Sequence, residues 1–356
     1  MSSSSASDRV APRHFIADQD DLILVTGARG FIGSRVVAQL ADRGFRRIRC
    51  LVRPAGDSPK ADALNLPGVE VLHGNLLSRE DCDAAAAGAA VIFHLAAARG
   101  ENSFPEAYLN SVVTTRNLLD SARRHGSLRR FVNVSSFAVY AGAPRPRFRP
   151  MDESYPLETR PQDRGDAYCF AKVGQDELVA EYGQRCKLPY VIVRPGYVYG
   201  DNEAITARVG IGTFGVFLHL GGGNRLPLTY VDNCADAIVL VGLTPDVNGE
   251  TFNVVDDDLP SSRQFLKLYK RNVRPFRSVY IPHTLSYVLC GLWERYSTWS
   301  EGQLPPVFNR RSWHAQWGPA RYTNAKLKTQ VGWAPKIPTA EGLRRYFVSC
   351  QRAARA

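Results

Sequence analysis

Short apolar runs recur along the chain, separated by segments with helical spacing. Leu22-Ile23-Leu24-Val25 is continuously apolar, as a strand buried on both faces requires. Ser34–Asp42 follows, with Val36, Val37 and Leu40 on one face of a predicted helix. Further strands are predicted at Ile48–Val52, Val69–Leu76 with its exit, Ala90–Ala98, Arg130–Val134 and Tyr190–Gly196 with its exit. Between them, Tyr108–His125 reads as an amphipathic helix with Val112, Leu118, Leu119 and Ala122 inward. A second long helix opens at Tyr168 and runs through Ala180. Later come Leu226–Val231, a helix at Asn233–Gly242 and a strand at Glu250–Val255. Strands alternating with helices predict a parallel sheet covered on both faces. Ala141–Asp166 is polar and rich in Pro and Arg, and is expected to be an irregular surface excursion. From about Asp256 the alternation is lost and aromatic residues increase. A smaller region covering the strand ends is expected there.

The joint between the first strand and helix carries chemistry. Thr26-Gly27-Ala28-Arg29-Gly30-Phe31-Ile32-Gly33 joins them, the context a dinucleotide-binding loop requires. Gly27 permits a tight turn, Gly30 lets backbone approach a pyrophosphate, and Gly33 lets the helix pack closely. The anion would sit at a helix N-terminus. At the end of the second strand an acid bonds ribose hydroxyls and a base accommodates a 2′-phosphate. Val52 and Arg53 stand there, which favours NADP over NAD. Asn75 follows the third strand and is a candidate for the adenine edge or a plain turn residue. After Leu95 the fourth strand runs into the small residues Ala96, Ala97 and Ala98, leaving room for a ligand. His94, inside that strand, is expected to be a satisfied core residue. The fifth strand delivers Ser135 and Ser136 to the same edge. Tyr168 and Lys172, four apart, share a helix face.

Composition narrows the setting. The 356 residues include 44% hydrophobic and 22% charged positions, as in ordinary globular proteins. The formal charge is +11, without a dense basic run interleaved with aromatics, so a basic surface is expected and not a nucleic-acid footprint. Seven scattered Cys with no C-x-x-C indicate neither zinc nor a disulfide framework, and no metal site is expected. A reducing, cytoplasmic setting follows. Residues 1–20 are Ser-rich, then polar, and are expected to form a disordered tail. No apolar stretch reaches the ~20 residues of a membrane span. Leu285–Trp293 is the most apolar stretch outside the sheet. It is either a helix packed on the C-terminal region or one lying at a membrane surface, with weak peripheral membrane contact.

These pieces together resemble the extended short-chain dehydrogenase/reductases, the NAD-dependent epimerase/dehydratase superfamily, from about Asp21 to Phe347. The carriers are Thr26–Gly33, Phe93–Ala97, Val134–Tyr140, Tyr168–Lys172, Arg194–Gly200 and Tyr230-Val231-Asp232. The resemblance implies a Rossmann-type doubly wound parallel α/β sheet over 21–255, with an excursion at about 200–230. Residues 256–356 would then form a smaller substrate-binding region. It implies Tyr168 as proton donor or acceptor, Lys172 as the group lowering its pKa, and Ser136 as the hydroxyl orienting substrate oxygen. Cofactor contacts are expected at Gly27, Gly30, Phe31, Ile32, Gly33, Arg53, Asn75, Leu76, Leu95, Ala96, Ala97, Tyr168, Lys172, Pro195 and Val198. Two positions depart from the family. Counting back from Thr115-Arg116-Asn117, Ser111 stands where relatives carry Asn, with Asn110 one place early. Asn75 replaces the usual Asp.

The substrate is less defined. Phe137 and Ala138 stand where the sugar-nucleotide dehydratases carry an Asp-Glu pair, and Tyr197 where many epimerases carry Asn. Ile281-Pro282, Leu304-Pro305-Pro306 and Tyr322–Lys326 with Gly332–Pro335 resemble the 3β-hydroxysteroid dehydrogenase-like branch. An oxidoreductase for a secondary alcohol or ketone is therefore expected, against a nucleotide-sugar epimerase or a non-catalytic cofactor sensor. Expected partners are a small-molecule substrate and a second copy of the chain.

Overall fold

The computed structural model describes residues 14–54, 61–97, 103–142, 150–201, 208–213, 215–300 and 309–355. The first half runs β1 (Leu22–Thr26), α1 (Gly33–Asp42), β2 (Ile48–Val52), β3 (Val69–His73), α2 (Arg79–Ala86) and β4 (Ala89–His94). It continues with α3 (Phe104–Tyr108), a π-turn at Leu109–Val113, α4 (Thr114–His125) and β5 (Arg130–Val134). Then come α5 (Ala167–Cys186), β6 (Tyr190–Pro195), β7 (Tyr197–Tyr199), β8 (Gly210–Thr213), β9 (Val216–His219) and β10 (Leu228–Tyr230). The last part holds α6 (Val231–Leu243), β11 (Thr251–Val254), α7 (Ser262–Asn272), β12 (Ser278–Tyr280) and α8 (His283–Trp299). It ends with α9 (Arg310–Trp317), α10 (Ala325–Val331) and α11 (Thr339–Ala353).

Seven strands pair in the order β11-β6-β5-β4-β1-β2-β3, and every pairing is parallel. Each crossover carries the chain over a face, so both faces are covered. One core cluster joins Val36, Val37 and Leu40 of α1 to α6 and the sheet. Another joins Leu118, Leu119 and Ala122 of α4 to Leu178 and Val179 of α5. Each such buried side chain contributes on the order of 1.5–3 kcal/mol. The chain order reverses between β1 and β4, and ligands of open α/β sheets bind at such a point, beyond the carboxyl ends of the strands.

Two boundaries differ from the sequence expectation. Residues 1–13 lie outside the described residues. From His14 the expected tail is already attached: Ala17 is buried, and the Ile16 amide donates to Leu243 O at 2.9 Å. At the other end α10 and Trp333 join the main core, so the C-terminal region is not wholly a separate cover. Leu304-Pro305-Pro306 lies outside the described residues. The loss of alternation beyond Asp256 is a change to helices, five of them among the described residues.

Candidate active site

The glycine loop closes on itself and on its neighbour strand. Gly27 has φ +70°, and a Cβ there would stand 2.9 Å from Ala96 N. A Cβ at Gly33 would stand 2.1 Å from Gly27 O. Neither position admits a side chain while the turn keeps this shape. The Gly30 amide donates to Gly27 O at 2.9 Å, and Gly30 itself is exposed. α1 starts with no side-chain cap and no acid in its first turn; the Ser34 amide donates to Gly30 O at 3.1 Å, and the helix N-terminus beside it is suited to an anion. That cradle fits a dinucleotide pyrophosphate. Phe31 and Ile32 can serve it only through backbone, because their side chains pack into the cluster around Tyr199 and Tyr230.

Neighbouring strand ends carry the other expected contacts. β1 and β2 pair Thr26 with Leu51, so Arg53 emerges beside the loop; it is exposed and forms no ion pair among the described residues. Asn75 is committed to a turn: its side-chain oxygen accepts from Leu77 N at 3.0 Å, and its amide donates to Asp81 Oδ2 at 2.7 Å. Leu76 is half-buried, packs its side chain against the second cluster and gives its carbonyl to Asn117 at 3.0 Å. Leu95, Ala96 and Ala97 are half-buried at the end of β4; the Leu95 amide bonds Thr26 O and the Ala96 amide bonds Thr26 Oγ1. Pro195 closes β6 and is buried, and Val198 lies half-buried in β7.

The expected catalytic residues come from β5 and α5. Ser135 is buried, whereas Ser136 is half-buried and caps the turn Phe137–Val139, accepting from Ala138 N at 3.1 Å. Asp166 caps α5 by accepting from Cys169 N, which sets Tyr168 in the first turn. Tyr168 packs beside Ala138 and Val139, so the Ser136 turn and the Tyr168 turn meet. One helical turn on, Lys172 donates to Val134 O at 2.8 Å, with Nζ 6.0 Å from the Tyr168 ring centre. Burial pushes the Lys172 ammonium down to about 8, against the pull of Asp176. It therefore stays charged at neutral pH.

Asp176 is the residue that motif reasoning missed. It lies a further turn along the face of Tyr168 and Lys172, fully buried, and holds Arg194 at 3.1 Å and Asn133 at 2.9 Å. Burial pushes its carboxyl up, and Arg194 opposes that shift. Its visible sign was the i, i+4, i+8 spacing of Tyr168, Lys172 and Asp176, with an Arg inside an apolar strand.

The misplaced Asn has a physical explanation. A π-turn over Leu109–Val113 inserts one extra residue between α3 and α4. Counting back from Thr115 through that turn, Asn110 takes the face that an uninterrupted helix would assign to residue 111. Ser111 is fully buried, and its carbonyl accepts from Thr114, Thr115 and Gln175.

His94 is indeed a satisfied core side chain. Thr115 Oγ1 donates to Ser111 O at 2.6 Å, so at His94 Nε2, 2.9 Å away, it can only accept. Nε2 therefore carries the proton, and Nδ1 accepts from Thr26 Oγ1 at 2.8 Å. Burial and then Lys172 push the imidazole down to about 3, so it is neutral. This chain of bonds ties α5 to Thr26, and Thr26 to the amides of residues 95 and 96.

A parallel sheet with a glycine loop at its switch point, and with a Ser, Tyr and Lys converging beside it, defines the extended short-chain dehydrogenase/reductase class. The model of the NAD dependent epimerase/dehydratase family matches residues 23–254, and the chain belongs to that family. It is similar to 4-hydroxy-2-methyl-3-oxo-4-farnesyl-3,4-dihydroquinoline-1-oxide ketoreductase of Stigmatella aurantiaca, 29% identical over 68% of this chain and 71% of the relative. It is also similar to a 3 beta-hydroxysteroid dehydrogenase/Delta 5-->4-isomerase of Mycobacterium tuberculosis (strain CDC 1551 / Oshkosh), 31% identical over 52% of this chain and 49% of the relative. Among solved structures, gox2253 superposes with TM-score 0.74 at 21% identity, covering 94% of this chain and 99% of that one.

Proposed function

We propose that the chain is an NAD(P)-dependent oxidoreductase acting on a secondary alcohol or ketone carried by an apolar molecule. One observation carries the reading. The two residues after Ser136 are Phe137 and Ala138, both buried in apolar clusters, with Phe137 stacked on Tyr322 at 5.6 Å. At these two positions the chain offers an aromatic ring and a methyl group in place of an acid and base for dehydration. The two curated relatives described above carry names of ketone and steroid chemistry, which supports the same substrate class.

The bound nicotinamide cofactor supplies the hydride. Ser136 would hold the substrate oxygen, and Tyr168 would give or take its proton. The Lys172 charge would favour the phenolate, since an ordinary phenol near pKa ~10 is a poor base at neutral pH. Asn110, on the face that the π-turn gives it, would support the relay. Arg53 would favour NADP through its 2′-phosphate.

The test is turnover by the purified protein with steroid-like and aromatic ketones and with nucleotide sugars, each with both cofactors. Net NADPH consumption with an apolar ketone is expected. Conversion of a nucleotide sugar without net cofactor change would sink this reading. Arg53→Ala is expected to lower the NADP to NAD affinity ratio about tenfold, roughly 1.4 kcal/mol; an unchanged ratio makes Arg53 a surface residue only.

A further inference from the structure

α8 is built inside out. Its protein-facing side holds Ser286, Cys290 and Ser297, all at least nine-tenths buried, and Ser286 accepts from Trp313 Nε1 at 3.0 Å. Tyr287 packs against Trp313 on that side, but six other large apolar residues face away. Leu285, Val288, Leu289, Leu292, Tyr296 and Trp299 are 48%, 55%, 51%, 58%, 49% and 77% exposed. At 100° per residue these six fall within an arc of about 100°, along roughly 21 Å of helix. No helix among the described residues is long and apolar enough to cross a membrane.

The surroundings of this stripe are as uneven as the helix. Of the twelve exposed large apolar side chains among the described residues, nine lie between residues 262 and 299; Leu268, Val279 and Tyr280 join the six on α8. The same segment carries seven Lys and Arg against one acid, Glu294, which is itself paired with Arg310 at 2.9 Å. Arg263, Lys267, Arg271, Arg274, Arg277 and Arg295 are exposed, and none forms an ion pair among the described residues. α7 and β12 are held together, and α8 begins three residues after β12. Arg263 lies over the Tyr280 ring at 5.4 Å, and Lys270 donates to Ser278 at 2.6 Å. β12 is the edge strand of its small sheet.

We infer that α7, β12 and α8 form a docking surface for an anionic lipid bilayer, with the α8 stripe lying in the interface. An apolar stripe with unpaired cations nearby suits acyl chains beneath phosphate headgroups. A second copy of the chain suits it poorly, because a two-fold contact on this face would set the same cations against each other. The inference goes beyond the proposed reaction and does not depend on Tyr168.

The experiment uses the full-length protein with phosphatidylglycerol vesicles, phosphatidylcholine vesicles and no vesicles, at low and high salt. At low salt, binding to the anionic vesicles is expected to exceed that to neutral ones at least tenfold, and to fall at least fivefold at high salt. Leu289→Asp with Leu292→Asp is expected to lower binding at least tenfold, and Arg271→Glu with Arg274→Glu about as much. These side chains are exposed, so thermal melts should match wild type; should the leucine pair fail to fold, the arginine pair decides. A blue shift of tryptophan emission on binding, lost in Trp299→Phe, places the helix in the interface. No sedimentation with anionic vesicles at low salt overturns the inference, as does undiminished binding by the folded variants. A wild-type dimer that the leucine pair dissociates in vesicle-free solution overturns it too, and assigns the stripe to a second copy.

Discussion

α5 and α8 invert the usual partition in opposite senses. α5 buries Lys172, Gln175 and Asp176, while α8 exposes leucines and a tryptophan. Each inversion costs stability. A buried charge loses water, and an exposed apolar stripe keeps its unfavourable contact with water. α5 offsets its cost with partners: Val134 O for Lys172, and Arg194 and Asn133 for Asp176. For the α8 stripe no such partner exists among the described residues, and the lipid surface inferred above would supply the offset. Helices that break the same rule therefore point to different things, an internal reaction centre in one case and an external surface in the other.

The contrast breaks most severely at Asp176. Asp176→Ala leaves Lys172 and Arg194 buried with their shared carboxylate gone, and is expected to cost about 3–5 kcal/mol in a denaturant titration. A loss below about 1 kcal/mol would mean that the buried charges do not depend on it. Tyr168→Phe comes next: turnover should drop about 10²–10⁴-fold with stability held within about 1 kcal/mol. Turnover within a few-fold of wild type would remove Tyr168 from the chemistry.

A pH titration separates reaction from folding. Lys172 is charged below about 8 in the folded chain, so turnover should fall as pH rises through that value. The unfolded chain holds that proton up to the ordinary 10.5, so over the interval between them this group adds stability as pH rises. Loss of activity with no loss of thermal stability near pH 8 is the expected pattern, and parallel loss of both would assign the fall to unfolding. The smallest effect belongs to α8. Leu289→Asp should change stability by less than about 0.5 kcal/mol, since its side chain is half exposed. A loss of 2 kcal/mol or more, on the scale of ~2–5 kcal/mol for a truncated core leucine, would place it in a core after all.

What was legible in the sequence follows from where each signal lies. β2 and β5 were expected at the bounds observed, because each is a short, mostly apolar run rich in Ile, Val and Phe, despite Arg49 in β2 and Arg130 and Asn133 in β5. Ser136, Tyr168 and Lys172 could be nominated from sequence because they lie at one strand exit and within one helix turn, and the fold brings those two turns together. α2 gave no expectation, since its inward side is only Cys82, Ala85 and Ala86, too small to mark a period. β8, β9 and β12 are three or four residues long, and their pairing is set by the rest of the fold. The π-turn changes hydrogen-bond register and leaves no compositional mark. Asp176 and Arg194 are eighteen residues apart, so their pairing exists only once α5 lies against β6.

The strand order has a consequence for synthesis. β1 leaves the ribosome first and ends in the middle of the sheet, with β2 on one edge and β4 on the other. Its second edge stays open until His94 has been made, 68 residues after Thr26. At 5–20 residues per second that interval is roughly 3–14 s. Throughout it a five-residue apolar strand presents bare amides and carbonyls to its neighbours on the polysome. The glycine loop that ends this strand packs against Ala96, so that contact too cannot form before the window closes.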